Sequence, residues 1–194
     1  MDYIKDWVTF IIPTLGRYTV HRTLKSLRDQ SNKNWKAIVV FDNHIITIPQ
    51  EDKIAVYEFT EPKRGAGIVR NFAIDKVDTE YIAFVDDDDW VDKNYVNRIL
   101  HYGKKGYELI SFTYKDVENG NTQPPPWMNT IVRCNIGISF AVKTEFVHQH
   151  GIQFIPGGIE DYEFINDCVK AGANWVITHE ILYWVGHRSA WGEN

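Results

Sequence analysis

Short continuous apolar runs alternate along the chain with stretches in which apolar residues recur every three or four positions. Val8-Thr9-Phe10-Ile11-Ile12 is such a run, and it ends at Pro13. It predicts a buried strand, stopped by a residue that has no amide hydrogen for a sheet ladder. Between Thr19 and Gln30, Val20, Leu24 and Leu27 fall on one helical face among charged neighbours, which predicts an amphipathic helix. Trp35 to Phe41 predicts a second strand that gives out at Asp42-Asn43, and Ile54 to Phe59 a third. Gly67 to Lys76 reads as a helix on Ile68, Phe72 and Ile74, and Tyr81 to Val85 as a fourth strand running straight into Asp86.

The later half is less regular. Asp92 to Lys104 predicts a helix with Asp92 as its N-cap, and Glu108 to Tyr114 a strand. Asn119 to Trp127, with Gly120 and Pro124-Pro125-Pro126, reads as a loop. Ile136 to Val142 is strand-like, and Thr144 to His150 and Glu160 to Ala171 read as helices. Trp175 to Thr178 and Ile181 to Val185 read as a hairpin. Strand–helix–strand units, with strands that are continuous rather than alternating in polarity, predict an α/β fold on a mostly parallel central sheet covered on both faces.

Length changes this picture only by setting its scale: 194 residues suit one domain. That is enough chain for a real core without a disulfide or structural metal. Cys134 and Cys168 are far apart, form no zinc pattern, and read as reduced thiols. A net charge of −5 argues against a general nucleic-acid binder, which needs a basic surface for phosphates. A small anionic ligand stays open, because local charge decides that case. No apolar stretch approaches the roughly 20 residues of a membrane span. Met1 to Asp6 has no basic-then-apolar leader pattern. The expectation is a cytoplasmic, soluble chain, or a soluble domain of a larger protein.

The candidate chemistry follows from the strand ends. In open α/β sheets, ligands bind beyond the carboxyl ends of the strands. That rule selects Pro13-Thr14, Asp42, and Asp86 onward. Asp86-Asp87-Asp88-Asp89 sets four carboxylates side by side, which need a cation or open water between them. If strand geometry persists, Asp86 and Asp88 point to one side, within reach of one hard cation. Magnesium takes one or two carboxylates plus substrate phosphates and water, and manganese also accepts oxygen ligands. The plainer alternative is a solvated acidic loop in which Asp89 caps the next helix.

Thr9-Phe10-Ile11-Ile12-Pro13-Thr14, Val39-Val40-Phe41-Asp42, the stretch from Gly67 to Arg70-Asn71, and Phe84-Val85-Asp86-Asp87-Asp88-Asp89-Trp90 follow one another in that order. So do Gly158-Ile159-Glu160-Asp161-Tyr162-Glu163-Phe164 and Leu182-Tyr183-Trp184-Val185-Gly186-His187-Arg188-Ser189. Taken together, over about nine tenths of the chain, they resemble the family 2 glycosyltransferases with the GT-A fold. The resemblance implies one GT-A domain over residues 1–194, with a nucleotide-binding half at roughly 1–90 and an acceptor-binding half at 91–194. It implies a nucleoside diphosphate sugar, UDP-linked, as donor and a glycan or other hydroxyl as acceptor.

The resemblance also distributes roles. The acidic run corresponds to the family's DXD motif, so Asp88 would touch Mn²⁺ or Mg²⁺, while Asp86 and Asp87 would border the nucleotide and its ribose. Four consecutive aspartates leave the register open to Asp89. Asp42 matches the aspartate that contacts uracil, or else caps a turn. Pro13, Thr14 and Arg17 would hold the base or phosphate. Arg70 would lie near the nucleotide, or form a structural ion pair. Asp161, in the late Glu-Asp motif, would be the base of an inverting transfer, with Glu160 binding the acceptor or serving structure. His187 would complete the metal site and Arg188 offset diphosphate charge, while Trp127 could stack on acceptor sugars. Two rivals remain: a non-catalytic nucleotide- or sugar-binding module of the same fold, and a nucleotidyltransferase. For the second, Pro13-Thr14-Leu15-Gly16-Arg17 is a poor match to a glycine- and lysine-rich phosphate loop.

Overall fold

The first apolar run becomes a strand in the middle of a sheet. In the computed structural model, which describes residues 2–42, 44–59, 64–133, 135–157 and 159–186, β1 (Ile4–Thr14) runs parallel to β2 (Trp35–Asp42) on one side. Helix α1 (Val20–Arg28) links them and buries Val20, Leu24 and Leu27, the face its periodicity predicts. β3 (Ile54–Phe59) extends the sheet beyond β2, also parallel. Helix α2 (Ala66–Ile74) then carries the chain back to β4 (Thr79–Phe84), which pairs in parallel with the other side of β1. The order β3-β2-β1-β4 reverses direction at β1. Such a reversal leaves a crevice at the carboxyl ends of the two strands that flank it.

Beyond β4 come β5 (Trp90–Val91), α3 (Tyr95–Gly103), β6 (Leu109–Asp116), β7 (Thr122–Gln123) and β8 (Phe140–Lys143). Next are α4 (Thr144–His150), α5 (Glu160–Lys170) and β9 (Trp175–Val185). β8 joins β4 and β6 in antiparallel fashion, β9 runs parallel to β6, and β5 pairs antiparallel with β9. β7 pairs antiparallel with β6. One α/β sheet therefore runs through the molecule, parallel on the β1–β4 side and mixed on the other.

The expected loop from Asn119 to Trp127 contains β7, and four other local expectations change. Pro13 does not stop β1: the register continues through Pro13↔Val40 to Thr14↔Phe41, because a proline removes one donor and leaves its neighbours theirs. The expected hairpin is one strand. His179 has φ 55°, and the β6–β9 register shifts beside it, so the polar Thr178-His179-Glu180 break is a bulge and not a turn. Asp92 does not cap α3; its amide bonds Leu182 O at 2.9 Å and its Oδ1 accepts the Asn94 amide at 2.8 Å, delaying the helix to Tyr95. The strand expected from Ile136 begins only at Phe140.

The core is continuous, and one part of it positions the acids. Phe84, at the end of β4, packs its ring 5.1 Å from Phe154 and 5.8 Å from Phe164 on α5, which stack on each other at 4.3 Å. All three are fully buried, each contributing about 1.5–3 kcal/mol. They lock the start of Asp86–Asp89 to the helix that carries Glu160 and Asp161. Burial pushes the Cys168 thiol up to about 12, so it stays a packed, unreactive thiol, while Cys134 lies outside the described residues. Among the described residues no helix is long and apolar enough to cross a membrane.

Candidate active site

β4 is buried on both faces from Tyr81 to Phe84, and exposure alternates only once the chain enters the acid run. Asp87 and Asp89 are buried, whereas the Asp86 and Asp88 side chains are 36% and 20% exposed. Asp86, Asp87 and Asp88 border a cavity of about 350 Å³ at the carboxyl ends of β1 and β4. Pro13, Thr14, Arg17, Asp42 and Arg70 border it too, so every described residue assigned to the nucleotide from sequence lies on one crevice. Leu15, Gly65, Ala66 and Val69 complete the wall. They are small or apolar, and no charge pattern marks them.

Each carboxylate of the run has a different partner. Thr14 Oγ1 donates to Asp87 Oδ2 at 2.6 Å and is itself fixed by the Gly16 amide at 3.0 Å. Arg17 Nη1 bridges Asp87 Oδ1 at 3.1 Å and Asp88 Oδ2 at 2.8 Å. Burial holds the Asp87 carboxyl above its ordinary range, against the pull of the Thr14 bond and the Arg17 charge. Asp89 turns the opposite way: it accepts the Tyr183 hydroxyl at 2.6 Å and the Gly186 amide at 2.8 Å. Burial, then the charge on Asp86, raises it well above the usual carboxylate range.

Helix α2 brings the second acid motif to the first. Gly67, Arg70 and Asn71 share one helical face. Arg70 is 4% exposed and places its guanidinium 5.2 Å over the Phe154 ring. Its Nη2 donates to Asp86 Oδ1 at 2.6 Å, and its Nη1 lies 3.6 Å from Glu160 Oε2 and 3.7 Å from Asp161 Oδ1. Burial opposes the Arg70 charge, but Asp86 and Asp161 outweigh it and keep its pKa raised. A β-carbon at Gly67 would lie 2.9 Å from Glu160 Oε2, so glycine is what lets that carboxylate against the helix. Asn71 donates to Phe154 O and accepts the Phe154 amide, both at 2.8 Å, clamping the segment that leads into α5.

Asp161 is pushed up to about 6, chiefly by burial; Arg70 pulls it down, and Asp86 and Glu160 push it further up. A carboxylate with a pKa near neutrality is well matched to take a proton at neutral pH. Asp42 accepts the backbone amides of Arg64 and Gly65, each at 2.9 Å, and so fixes the turn into α2 while lining the cavity. Trp127 is 76% exposed on the loop after β7 and does not border the cavity. His187 and Arg188 lie outside the described residues.

Among the described residues no group of three or more His, Cys, Asp or Glu side chains is arranged to hold a metal ion. Asp86 and Asp88 nonetheless fit a hard cation that brings phosphate oxygens with it: both open to the cavity, and each is balanced by an arginine. Sequence reasoning passed over the supporting contacts of Asn71 and Tyr183. For Asn71 the trace was its place beside Arg70; for Tyr183 it was only its place in the closing stretch from Leu182 to Ser189, where an apolar strand gives its hydroxyl no distinct signal.

Comparison with known proteins agrees with this geometry. The model of glycosyl transferase family 2 matches residues 9–158. A glycosyltransferase of Haemophilus influenzae that is uncharacterised is 24% identical over 179 residues, covering 84% of this chain and 70% of that protein. EpsH of Bacillus subtilis strain 168, provisionally named a glycosyltransferase, is 28% identical over 116 residues, or 55% of this chain. The match takes in only 33% of EpsH, so the chain spans a fraction of that relative. Among solved structures, Staphylococcus aureus TarS 1–349 in complex with UDP-GlcNAc superposes with TM-score 0.75 at 19% identity, covering 94% of this chain and 59% of that one. The mannosyltransferase PcManGT of Pyrobaculum calidifontis, in complex with GDP-Man and Mn²⁺, gives TM-score 0.66 at 14% identity, over 92% of this chain and 56% of that one. Those likenesses show the GT-A fold. The family match runs from β1 to the threshold of α5, more than three quarters of the sequence, and the chain belongs to glycosyl transferase family 2.

Proposed function

We propose that this chain moves a sugar from a UDP-linked donor to an acceptor hydroxyl, of a glycan, with inversion at the anomeric carbon. Arg70 carries the reading. One buried guanidinium contacts Asp86 at the crevice and faces Asp161 at the start of α5, so two acid motifs far apart in sequence share one site. On this reading residues 1–90 hold the nucleotide, with Pro13, Thr14 and Asp42 around the base and ribose and Arg17 toward the phosphates. Residues 91–194 supply the acceptor side.

Asp88 would hold Mn²⁺ or Mg²⁺, with His187 as a further ligand, while Asp86 and Asp87 would border the nucleotide and its ribose. When bound, the cation neutralises the charge that grows on the departing diphosphate. Asp161 takes the proton from the acceptor O–H. The freed oxygen forms its bond to the anomeric carbon as the bond to the diphosphate breaks, and that electron pair leaves with UDP. Glu160 orients the acceptor, and the exposed Trp127 ring offers a stacking face for its sugars. The UDP-GlcNAc complex of TarS supports a uridine donor, and the GDP-Man and Mn²⁺ complex of PcManGT supports the cation. PcManGT also makes guanosine the competitor to test.

Calorimetric titration with UDP, GDP, TDP and ADP, with and without Mn²⁺, tests the proposal. UDP binding that Mn²⁺ strengthens, with that gain lost in Asp88→Ala, is the expected result, followed by turnover of UDP-sugars. Binding without transfer or hydrolysis identifies a non-catalytic module, and release of pyrophosphate identifies a nucleotidyltransferase.

A further inference from the structure

We infer that Tyr183 is a positioning residue for the acid run, acting with Asp89 to fix where Asp86 and Asp88 stand; the role rests on the nucleotide-sugar reading above. Residues 86–89 have left β4, and the next ladder begins only at Trp90. The Asp86 amide finds its acceptor on the last strand, the Tyr183 hydroxyl at 3.2 Å. The same hydroxyl donates to Asp89 Oδ2 at 2.6 Å, and Asp89 Oδ1 accepts the Gly186 amide at 2.8 Å. Tyr183 is fully buried and sits in register with Val91, so its ring cannot drift.

Packing alone does not call for this arrangement. A buried carboxylate is costly to desolvate, and an apolar pair of similar volume fills such a space at least as stably. What the polar pair supplies is direction. It holds the Asp86 amide at one end of the run and the Asp89 carboxylate at the other, with the turn Asp89 N→Asp86 O at 3.1 Å between them. Asp88 is thereby presented to the cavity and Asp86 to Arg70. At Gly186 a β-carbon would collide with the Asp88 carbonyl, so the end of β9 presses directly on the run.

Tyr183→Phe removes one oxygen and keeps the ring. We expect the Mn²⁺-dependent gain in UDP binding to weaken at least about tenfold, the scale of one of the two buried hydrogen bonds the hydroxyl makes, while UDP binding without Mn²⁺ holds its wild-type value. Asp89→Asn should reproduce that split, and the double variant should lose no more than either alone, as for two groups acting as one unit. Thermal melts of each variant identify the folded fraction; if Tyr183→Phe does not fold, Asp89→Asn decides by the same criterion. Wild-type affinity in Tyr183→Phe, or equal weakening with and without Mn²⁺, overturns the role. A wild-type chain that binds no nucleoside diphosphate removes the nucleotide-sugar reading and this role with it.

Discussion

Arg70 restrains the pKa that burial raises at the proposed base, and its removal has a calculable effect. Asp161 sits at about 6 because burial raises it and Arg70, 3.7 Å away, restrains it. At pH 7 about nine tenths of Asp161 is then ionised and able to accept a proton. A cation at such a distance lowers a carboxylate pKa by about 1–3 units. Arg70→Met should therefore lift Asp161 to about 7–9, leaving about half of it or far less ionised at pH 7. The assay is kcat/KM for the donor across pH 5–9, since that ratio reports groups of the free enzyme. The acid limb should move up by at least about one pH unit. The absolute rate falls as well, because Asp86 loses its partner, but the midpoint does not depend on that loss. Arg70→Lys, which restores charge without the planar fork, should return the midpoint toward 6 without restoring the rate. An acid limb that stays near 6 in Arg70→Met, or moves lower, would refute the control of Asp161 by Arg70.

Asp161→Asn should abolish transfer yet retain donor binding, and it should stabilise the fold. With its folded pKa raised to about 6, Asp161 contributes stability that is full below about pH 4 and gone once pH passes about 6. The variant should thus gain about 3 kcal/mol at pH 7 and nothing at pH 4, read from denaturant melts at both; equal stability at pH 7 would count against the shift. Asn71→Ala leaves both backbone groups of Phe154 without partners and should cost about 1–3 kcal/mol. It should also slow transfer more than it weakens UDP binding, since the clamp supports the α5 side of the crevice; unchanged kcat would show that the clamp serves stability alone.

Local pattern determined much of this protein. Apolar runs and helical spacing located β1 to β4, α1 and α2, because each is a property of neighbouring residues. Placing Thr14, Asp42 and Asp86 at strand ends was enough to predict a shared crevice, since parallel strands of one sheet end on one edge. The period of two also anticipated that Asp86 and Asp88 would open to it. Tertiary structure decided the rest. Nothing in four identical aspartates says which will meet Tyr183, whose strand arrives almost at the end of the chain. The Thr178–Glu180 break resembled a turn until β6 offered pairing on both sides of it, and long-range parallel pairing leaves no local mark. Asp42 proved to be both a cavity wall and the clamp of the Arg64–Gly65 turn, a double role that needs two segments in contact. Above all, the acidity of Asp161 exists only in the fold: a carboxylate's pKa is set by burial and by the charges around it, and Arg70, Asp86 and Glu160 meet it only once α2, β4 and α5 have packed together.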